Sequence, residues 1–136
     1  LPWRSEEMVV ACGAGHRLSG RSSLTPGELD GIEFIAFDED LPISRDIERF
    51  LKEHGVKVHV VMRFDNIQSM KEALRMGSAV SILPAPMLQS DVDEGRLKTI
   101  SLSAPLFRPL GIIHRRRRSF QRAAQVFLDL LRHPAA

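Results

Sequence analysis

Residues 64–84 read FDNIQSMKEALRMGSAVSILP, an apolar run that enters a short helix and leaves it, after one glycine, into a second apolar run. Upstream of the helix, Val56, Val58, Val60, Val61, Met62 and Phe64 are β-branched or bulky residues suited to a largely buried strand. Asp65-Asn66 supplies side-chain acceptors for a helix start, and Asp65 with Gln68 has capping-box spacing. Ile67, Met70, Ala73, Leu74 and Gly77 recur at helical intervals on one face, while Gln68, Lys71, Glu72 and Arg75 occupy the other. Gly77 fits the left-handed residue that closes many helices. Residues 79–83 read as a second buried strand, closed by Pro84, which has no amide hydrogen for a sheet ladder. A strand, a crossover helix and a strand of this length predict a right-handed parallel βαβ unit. In open α/β sheets, ligands lie beyond the carboxyl ends of such strands.

Outward from this unit, the same signals alternate along the chain. Met8, Val9, Val10 and Ala11 make a short buried strand, followed by a glycine- and serine-rich turn segment. Thr25-Pro26-Gly27-Glu28 has the N-cap, first-turn proline and acidic third position of a helix start, and Gly31 ends that short helix. Residues 34–37 are the next strand. The acidic loop 38–42 leads into a helix with Ile47, Phe50 and Leu51 on its apolar face, Ser44 as expected N-cap, Asp46 favouring its positive end and Gly55 closing it. Beyond residue 84, Pro86 opens a helix running to about Glu94, Gly95 stops it, and Leu97–Leu102 alternates like a strand. Pro105 and Pro109 bracket a linker-like stretch before an apolar strand at 110–114. A terminal helix places Phe120, Ala123, Ala124, Phe127, Leu128 and Leu131 on one stripe.

Composition sets outer bounds. At 136 residues, 43% apolar and 26% charged, the chain is one domain or two small lobes with a real core. No apolar run approaches a membrane span and no signal peptide is visible, so the expected location is the cytoplasm with no membrane partner. Cys12 is the single cysteine, which excludes an internal disulfide and a thiolate metal cluster and predicts a buried, inert thiol. The net charge of +2 argues for no nucleic-acid surface. The basic excess is local: the HRRRR run at 114–118 carries no interleaved aromatics and reads as a solvated turn. The start at Leu1-Pro2-Trp3, entering a strand almost at once, suggests a piece of a longer protein.

With these elements placed, the chain resembles the effector-binding (substrate-binding) domain of LysR-type transcriptional regulators. The landmarks are Gly15-His16-Arg17-Leu18 after a strand, Leu24-Thr25-Pro26-Gly27-Glu28-Leu29 before Phe34-Ile35-Ala36-Phe37, and Arg45 in a helix opening. They continue with Ile67-Gln68-Ser69-Met70 before Met76-Gly77-Ser78-Ala79-Val80-Ser81-Ile82-Leu83-Pro84, then Gly95-Arg96-Leu97 and Arg108-Pro109-Leu110-Gly111-Ile112-Ile113-His114-Arg115. Their order and spacing across nearly the whole chain make the assignment specific. The resemblance implies an α/β fold like that of type 2 periplasmic binding proteins: a Rossmann-like lobe with a mixed, mainly parallel sheet, plus the remnant of a second lobe. Residues 15–105 would form the complete second lobe. Residues 1–14 and 106–136 would supply crossing strands and a terminal helix belonging to the first lobe. Most of that first lobe and the N-terminal helix-turn-helix would be absent, so DNA would be reached only through a segment outside this chain. The family associates through its effector domains, so a homo-oligomer, altered or weaker for lack of the rest of the lobe, is expected.

Three strand-to-helix junctions, at 37–45, 64–69 and 83–86, should converge on one edge of the sheet. Helix N-termini there offer unpaired N–H groups and positive dipole ends, a site for a small carboxylate or similar anion. The candidate effector-binding residues are Phe37, Ser44, Asn66, Gln68, Ser69 and Pro84, and the resemblance implies the same edge, within the cleft between lobes. Ser44 and Asn66 serve equally well as plain helix caps, and Gln68 and Ser69 as exposed first-turn residues. Asp38, Glu39 and Asp40 would repel an anion unless they point outward or pair with Arg45. The five histidines lack metal-ligand spacing, and no nucleophile elbow, Walker loop or dinucleotide fingerprint occurs. No enzyme, cofactor, metal or catalytic residue is therefore expected. The reading is a sensor of a small, anionic metabolite. The alternatives are a fragment of a transport-system solute-binding protein and a dimerisation module without ligand.

Overall fold

The computed structural model describes the backbone of residues 4–110 and the side chains of residues 5–109. The expected strand at 110–114, the basic run at 114–118 and the terminal helix fall, beyond Leu110, outside the described residues. In chain order the elements are β1 (Arg4–Gly13), β2 (Ser23–Leu24), a 3₁₀ turn (Pro26–Leu29), β3 (Glu33–Phe37), α1 (Pro42–Glu53), β4 (His59–Phe64), α2 (Ile67–Met76) and β5 (Ser81–Pro84). A second 3₁₀ turn (Ala85–Leu88) then runs into α3 (Gln89–Asp93), followed by β6 (Leu97–Leu102) and β7 (Leu106–Leu110). Glu6–Arg108 forms one compact unit.

The main sheet has the order β2-β6-β1-β5, and β7 also pairs with β1. Beside it lies the two-stranded β3-β4 ladder, joined to the main sheet by a parallel bridge between Phe34 and Val80. β1 is antiparallel to β5 and β6, whereas β2 with β6 and β3 with β4 are parallel. Apart from β7, β1 alone thus runs against the other strands, and the sheet is mixed. β4 and β5 run the same way, as expected of a βαβ unit, but β3 lies between them, so the crossover through α2 skips one strand.

The core follows from the apolar runs. Met8, Val10, Ile82, Leu83, Leu97 and Ile100 are fully buried where β1, β5 and β6 pair, each such side chain contributing roughly 1.5–3 kcal/mol of burial energy. α2 seats Met70 and Leu74, both fully buried, and α1 seats Ile47, Phe50 and Leu51. Cys12 is buried as expected, and burial pushes its thiol pKa up. Gly31, Gly55 and Gly95 end their helical segments at positive φ (76°, 68° and 77°), where glycine carries no Cβ penalty.

Several expectations need correction. The run ending at Phe64 is not a largely buried strand: among the described residues β4 is the last strand of its ladder, and with a register irregularity beside Phe34/Ile35, Val61 and Met62 are 39% and 44% exposed. Gly77 is extended (φ −123°) rather than left-handed. The stretch bracketed by Pro105 and Pro109 is not a linker but β7; its side chains alternate between half-buried and exposed, and Pro109 takes an exposed position. The expected helix after Pro86 is split into a 3₁₀ turn and the five-residue α3.

Candidate functional site

Register alone brings three strand ends together. Phe37 pairs with Phe64, the Asp38 amide donates to the Phe64 carbonyl at 2.8 Å, and Phe34 is level with Val80. Ser81 Oγ then donates to the Ile35 carbonyl at 2.6 Å, which sets β5 alongside β3 with Pro84 at the same end. The carboxyl ends of β3, β4 and β5 therefore share one edge. α1 and α2 both begin there, with their N-terminal dipole ends toward it.

The first turn of α2 is built by its cap. Asn66 has extended backbone, and its Oδ1 accepts from the Ser69 amide at 2.8 Å; its Nδ2 donates to Asp65 Oδ1 at 2.8 Å. Asn66 is thus the N-cap, and the Asp65/Gln68 capping box does not form, because Asp65 turns to the Asn66 amide. With Ser69 occupied by the cap and Met70 donating to the Asn66 carbonyl, the amides of Ile67 and Gln68 are the first-turn donors left over among the described residues. The Gln68 side chain is exposed and that of Ser69 half-buried.

The first turn of α1 is different. Leu41 is its N-cap without a side-chain bond, and Pro42 fills the first position, where a missing N–H costs nothing. Ser44 is not the cap expected of it. It is 3% exposed and lies one turn inside, its Oγ 3.4 Å from the Phe37 carbonyl and 3.2 Å from Glu48 Oε2, two acceptors that share its single proton. Phe37 and Ser44 also line an apolar cavity of about 30 Å³ with Ile47 and Val60, the volume of a single water. Asp46 lies beyond the first turn and pairs with Arg49 at 3.6 Å and Arg108 at 3.3 Å instead of the helix dipole.

Two groups, one at this edge and one behind α2, have no signal in the sequence. Arg63, on β4, donates to the Phe37 carbonyl at 2.9 Å and pairs with Glu39 and Glu48, both at 3.6 Å. It, not Arg45, reaches a carboxylate of the acidic loop, that of Glu39; Arg45 reaches only the Asp40 carbonyl, at 3.5 Å. Arg63 also lines an open groove of about 580 Å³ along β4 and α1, with Leu51, Lys52, Val56 and Lys57. An arginine on a strand gives no sign in sequence of which carboxylates the fold will bring to it. The second group is an ion cluster behind α2, Lys71, Asp91 and Arg96, with Lys71 Nζ 2.7 Å from Asp91 Oδ2. The hydrogen bond from Lys71, and then that from Arg96, holds the Asp91 carboxyl below the usual carboxylate range.

The edge brings Phe37, Asn66, Gln68, Ser69 and Pro84 to one side of the sheet and turns the Ser44 hydroxyl inward, into the β3–α1 junction. Chemically it offers leftover helix amides, a side-chain amide and a hydroxyl, a set that recognises a small polar or anionic group.

Comparisons with known proteins bear on the family and the fold. The family model described as LysR substrate binding domain matches residues 1–136. The chain is 26% identical over 129 residues to the "Uncharacterized HTH-type transcriptional regulator YeiE" of Escherichia coli (strain K12), covering 94% of this chain and 44% of that protein. It is 24% identical over 130 residues to the "RuBisCO operon transcriptional regulator" of Allochromatium vinosum, covering 95% of this chain and 43% of that one. The chain thus spans less than half the length of the curated relatives it matches. Among solved structures, it resembles the Synechocystis PCC6803 CcmR regulatory domain in complex with 2-PG (TM-score 0.68, 18% identity, 90% of this chain and 66% of that chain). It also resembles the effector binding domain of QuiR in complex with shikimate (TM-score 0.68, 18% identity, 79% and 51%).

Proposed function

The chain belongs to the LysR substrate-binding domain family, and from that premise we propose that it is the ligand-sensing domain of a bacterial transcriptional regulator, binding a small anionic metabolite at the carboxyl edge of β3, β4 and β5. The observation that carries this reading is the alignment of those three strand ends with the first turn of α2, where the Ile67 and Gln68 amides are left over. Gln68 and Ser69 would bond the ligand, Asn66 would fix the turn that presents the amides, and Phe37 and Pro84 would bound the edge. Ser44 would act through the Phe37 carbonyl. The titles of two structural relatives name small molecules, 2-PG and shikimate, in complex with regulatory or effector domains of this fold. The fold itself, a periplasmic-binding-protein-like α/β lobe, is common to all three.

In this reading residues 15–105 form the second lobe, and residues 1–14 and 106–136 belong with the first. The regulator works in the cytoplasm as a homo-oligomer and meets DNA through a helix-turn-helix outside this chain. Its ligand shifts an equilibrium between conformations that differ in affinity for it, without catalysis. Among the described residues no helix is long and apolar enough to cross a membrane.

Thermal-shift and calorimetric titration with 2-PG, shikimate, inorganic phosphate and a panel of small carboxylates tests the proposal. A ligand at a hundred times its Kd stabilises the folded state by about 2.7 kcal/mol. The effect should fall in Gln68→Ala and Ser69→Ala. A flat response across the panel would overturn the reading.

A further inference from the structure

We propose that Asp91, held between Lys71 and Arg96, is a positioning residue for the ligand site: it fixes the orientation of α2 and so of the first-turn amides that α2 presents. The inference rests on the carboxyl edge being that site. α2 has ten residues and two fully buried apolar anchors, Met70 and Leu74. Apolar burial is non-directional: it seats the helix on the sheet, whereas an ion pair with fixed partners also ties one face of it to a particular neighbour. At its far end the helix is tightly seated, because the Gly13 backbone lies so close that a Cβ there would stand 2.7 Å from the Leu74 carbonyl oxygen. Just beyond, His16 Nδ1 accepts from the Leu18 amide at 3.0 Å, leaving Nε2–H to donate to the Ser78 carbonyl at 2.9 Å.

Near the ligand end, the directional tie is Lys71, two residues after Ser69. Its side chain is only 13% exposed and its Nζ lies 2.7 Å from Asp91 Oδ2. Asp91 is 6% exposed. Its other oxygen, Oδ1, accepts from Arg96 Nε at 3.3 Å and Nη2 at 3.2 Å, and the Arg96 amide donates to the Asp91 carbonyl at 2.9 Å. Arg96 also pairs with Glu94. Both carboxylate oxygens are therefore spoken for, by groups on different elements, and α3 is itself set by the turn into β6. A buried ion pair adds little net stability over apolar residues of equal size, and its best-attested use is to fix one geometry among several. Here the geometry fixed is the azimuth of α2 one turn from its leftover amides.

The experiment uses the 136-residue chain, ¹⁵N-labelled, with inorganic phosphate as the probe, and compares it with the double variant Lys71→Met/Asp91→Leu, which keeps volume and burial while removing the two charges of that pair and leaving Arg96 to Glu94. Wild type should show saturable amide shifts at Ile67, Gln68 and Ser69. The double variant should stay folded with a Tm near wild type, bind phosphate about tenfold more weakly, as expected when binding groups are displaced by a fraction of an ångström, and exchange the amides of residues 67–70 faster. Lys71→Arg, which keeps the charge and the Asp91 contact, should retain most of the affinity. Wild-type affinity and protection in a folded double variant would overturn the proposal and leave the cluster a purely structural one. Absence of any shift at residues 67–69 in wild type would overturn the ligand-site reading itself, and this proposal with it.

Discussion

α1 and α2 begin at the same edge of one sheet, yet their first turns are satisfied in opposite ways. α2 spends a side chain on its cap, Asn66 accepting from the Ser69 amide, and leaves the Ile67 and Gln68 amides without a partner among the described residues. α1 starts on Pro42 with no side-chain cap and buries the Ser44 hydroxyl against the Phe37 carbonyl, to which Arg63 of β4 also donates, with the exposed Glu48 carboxylate beside both. The first arrangement leaves donors without protein partners among the described residues, the ones the proposed ligand would use; the second ties its polar groups to the strand-to-helix corner. Two junctions that look alike as sequence, each a polar residue ahead of an apolar helical stripe, therefore have different duties.

The largest effect expected from breaking this contrast comes from behind α2. Asp91→Asn leaves the Lys71 ammonium nearly buried without its counter-charge, and urea unfolding at pH 7 should show a loss of about 3 kcal/mol. Because the Asp91 pKa is depressed in the folded state, its contribution is fully present above the unfolded value of about 3.9 and is lost as pH falls through the folded value. The gap between wild type and Asp91→Asn should accordingly narrow as the pH is taken below about 4, and a gap that stays constant would contradict the pairing.

Gly13→Ala acts at the opposite end of α2, where its Cβ meets the Leu74 carbonyl at 2.7 Å and backbone must give way. About 2 kcal/mol of destabilisation is expected from such overpacking, measurable by the same unfolding curves. Asn66→Ala removes the cap and should cost about 1 kcal/mol; Asn66→Asp or Asn66→Ser should keep most of it. Ser44→Ala is the smallest change, about 0.5 kcal/mol, since the Phe37 carbonyl retains the stronger Arg63 bond at 2.9 Å. If Ser44→Ala proved costlier than Asn66→Ala, the division of labour between the two junctions would be the wrong way round.

The local signals were legible wherever one residue type answers one backbone need. Gly31, Gly55 and Gly95 close their helical segments as the sequence suggests, Thr25 accepts its place before the Pro26 turn, where its amide donates to Glu28 at 2.9 Å, and Leu97–Leu102 is the strand its alternation predicts. Asn66 was legible as a cap. Ser44 was not, because a serine near a helix start reads the same whether it caps the helix or bonds the preceding strand, and Pro42 two residues earlier had already taken the first position. The burial of the run ending at Phe64 was misread for a related reason. Valine-rich composition reports strand propensity, whereas exposure depends on whether another strand lies outside it, and β4 stands at the margin of its ladder.

The amino-acid sequence by itself determined the succession of strands and helices, the turns that end them and the family likeness, because periodicity, caps and glycines act within a few residues of one another. Only the tertiary structure decided that β3 would slip between β4 and β5, that Arg63 rather than Arg45 would pair with Glu39 of the acidic loop, and that Lys71 would meet Asp91 twenty residues away. Those outcomes depend on which surfaces are left to pack once the apolar faces are buried, and no local pattern carries that information.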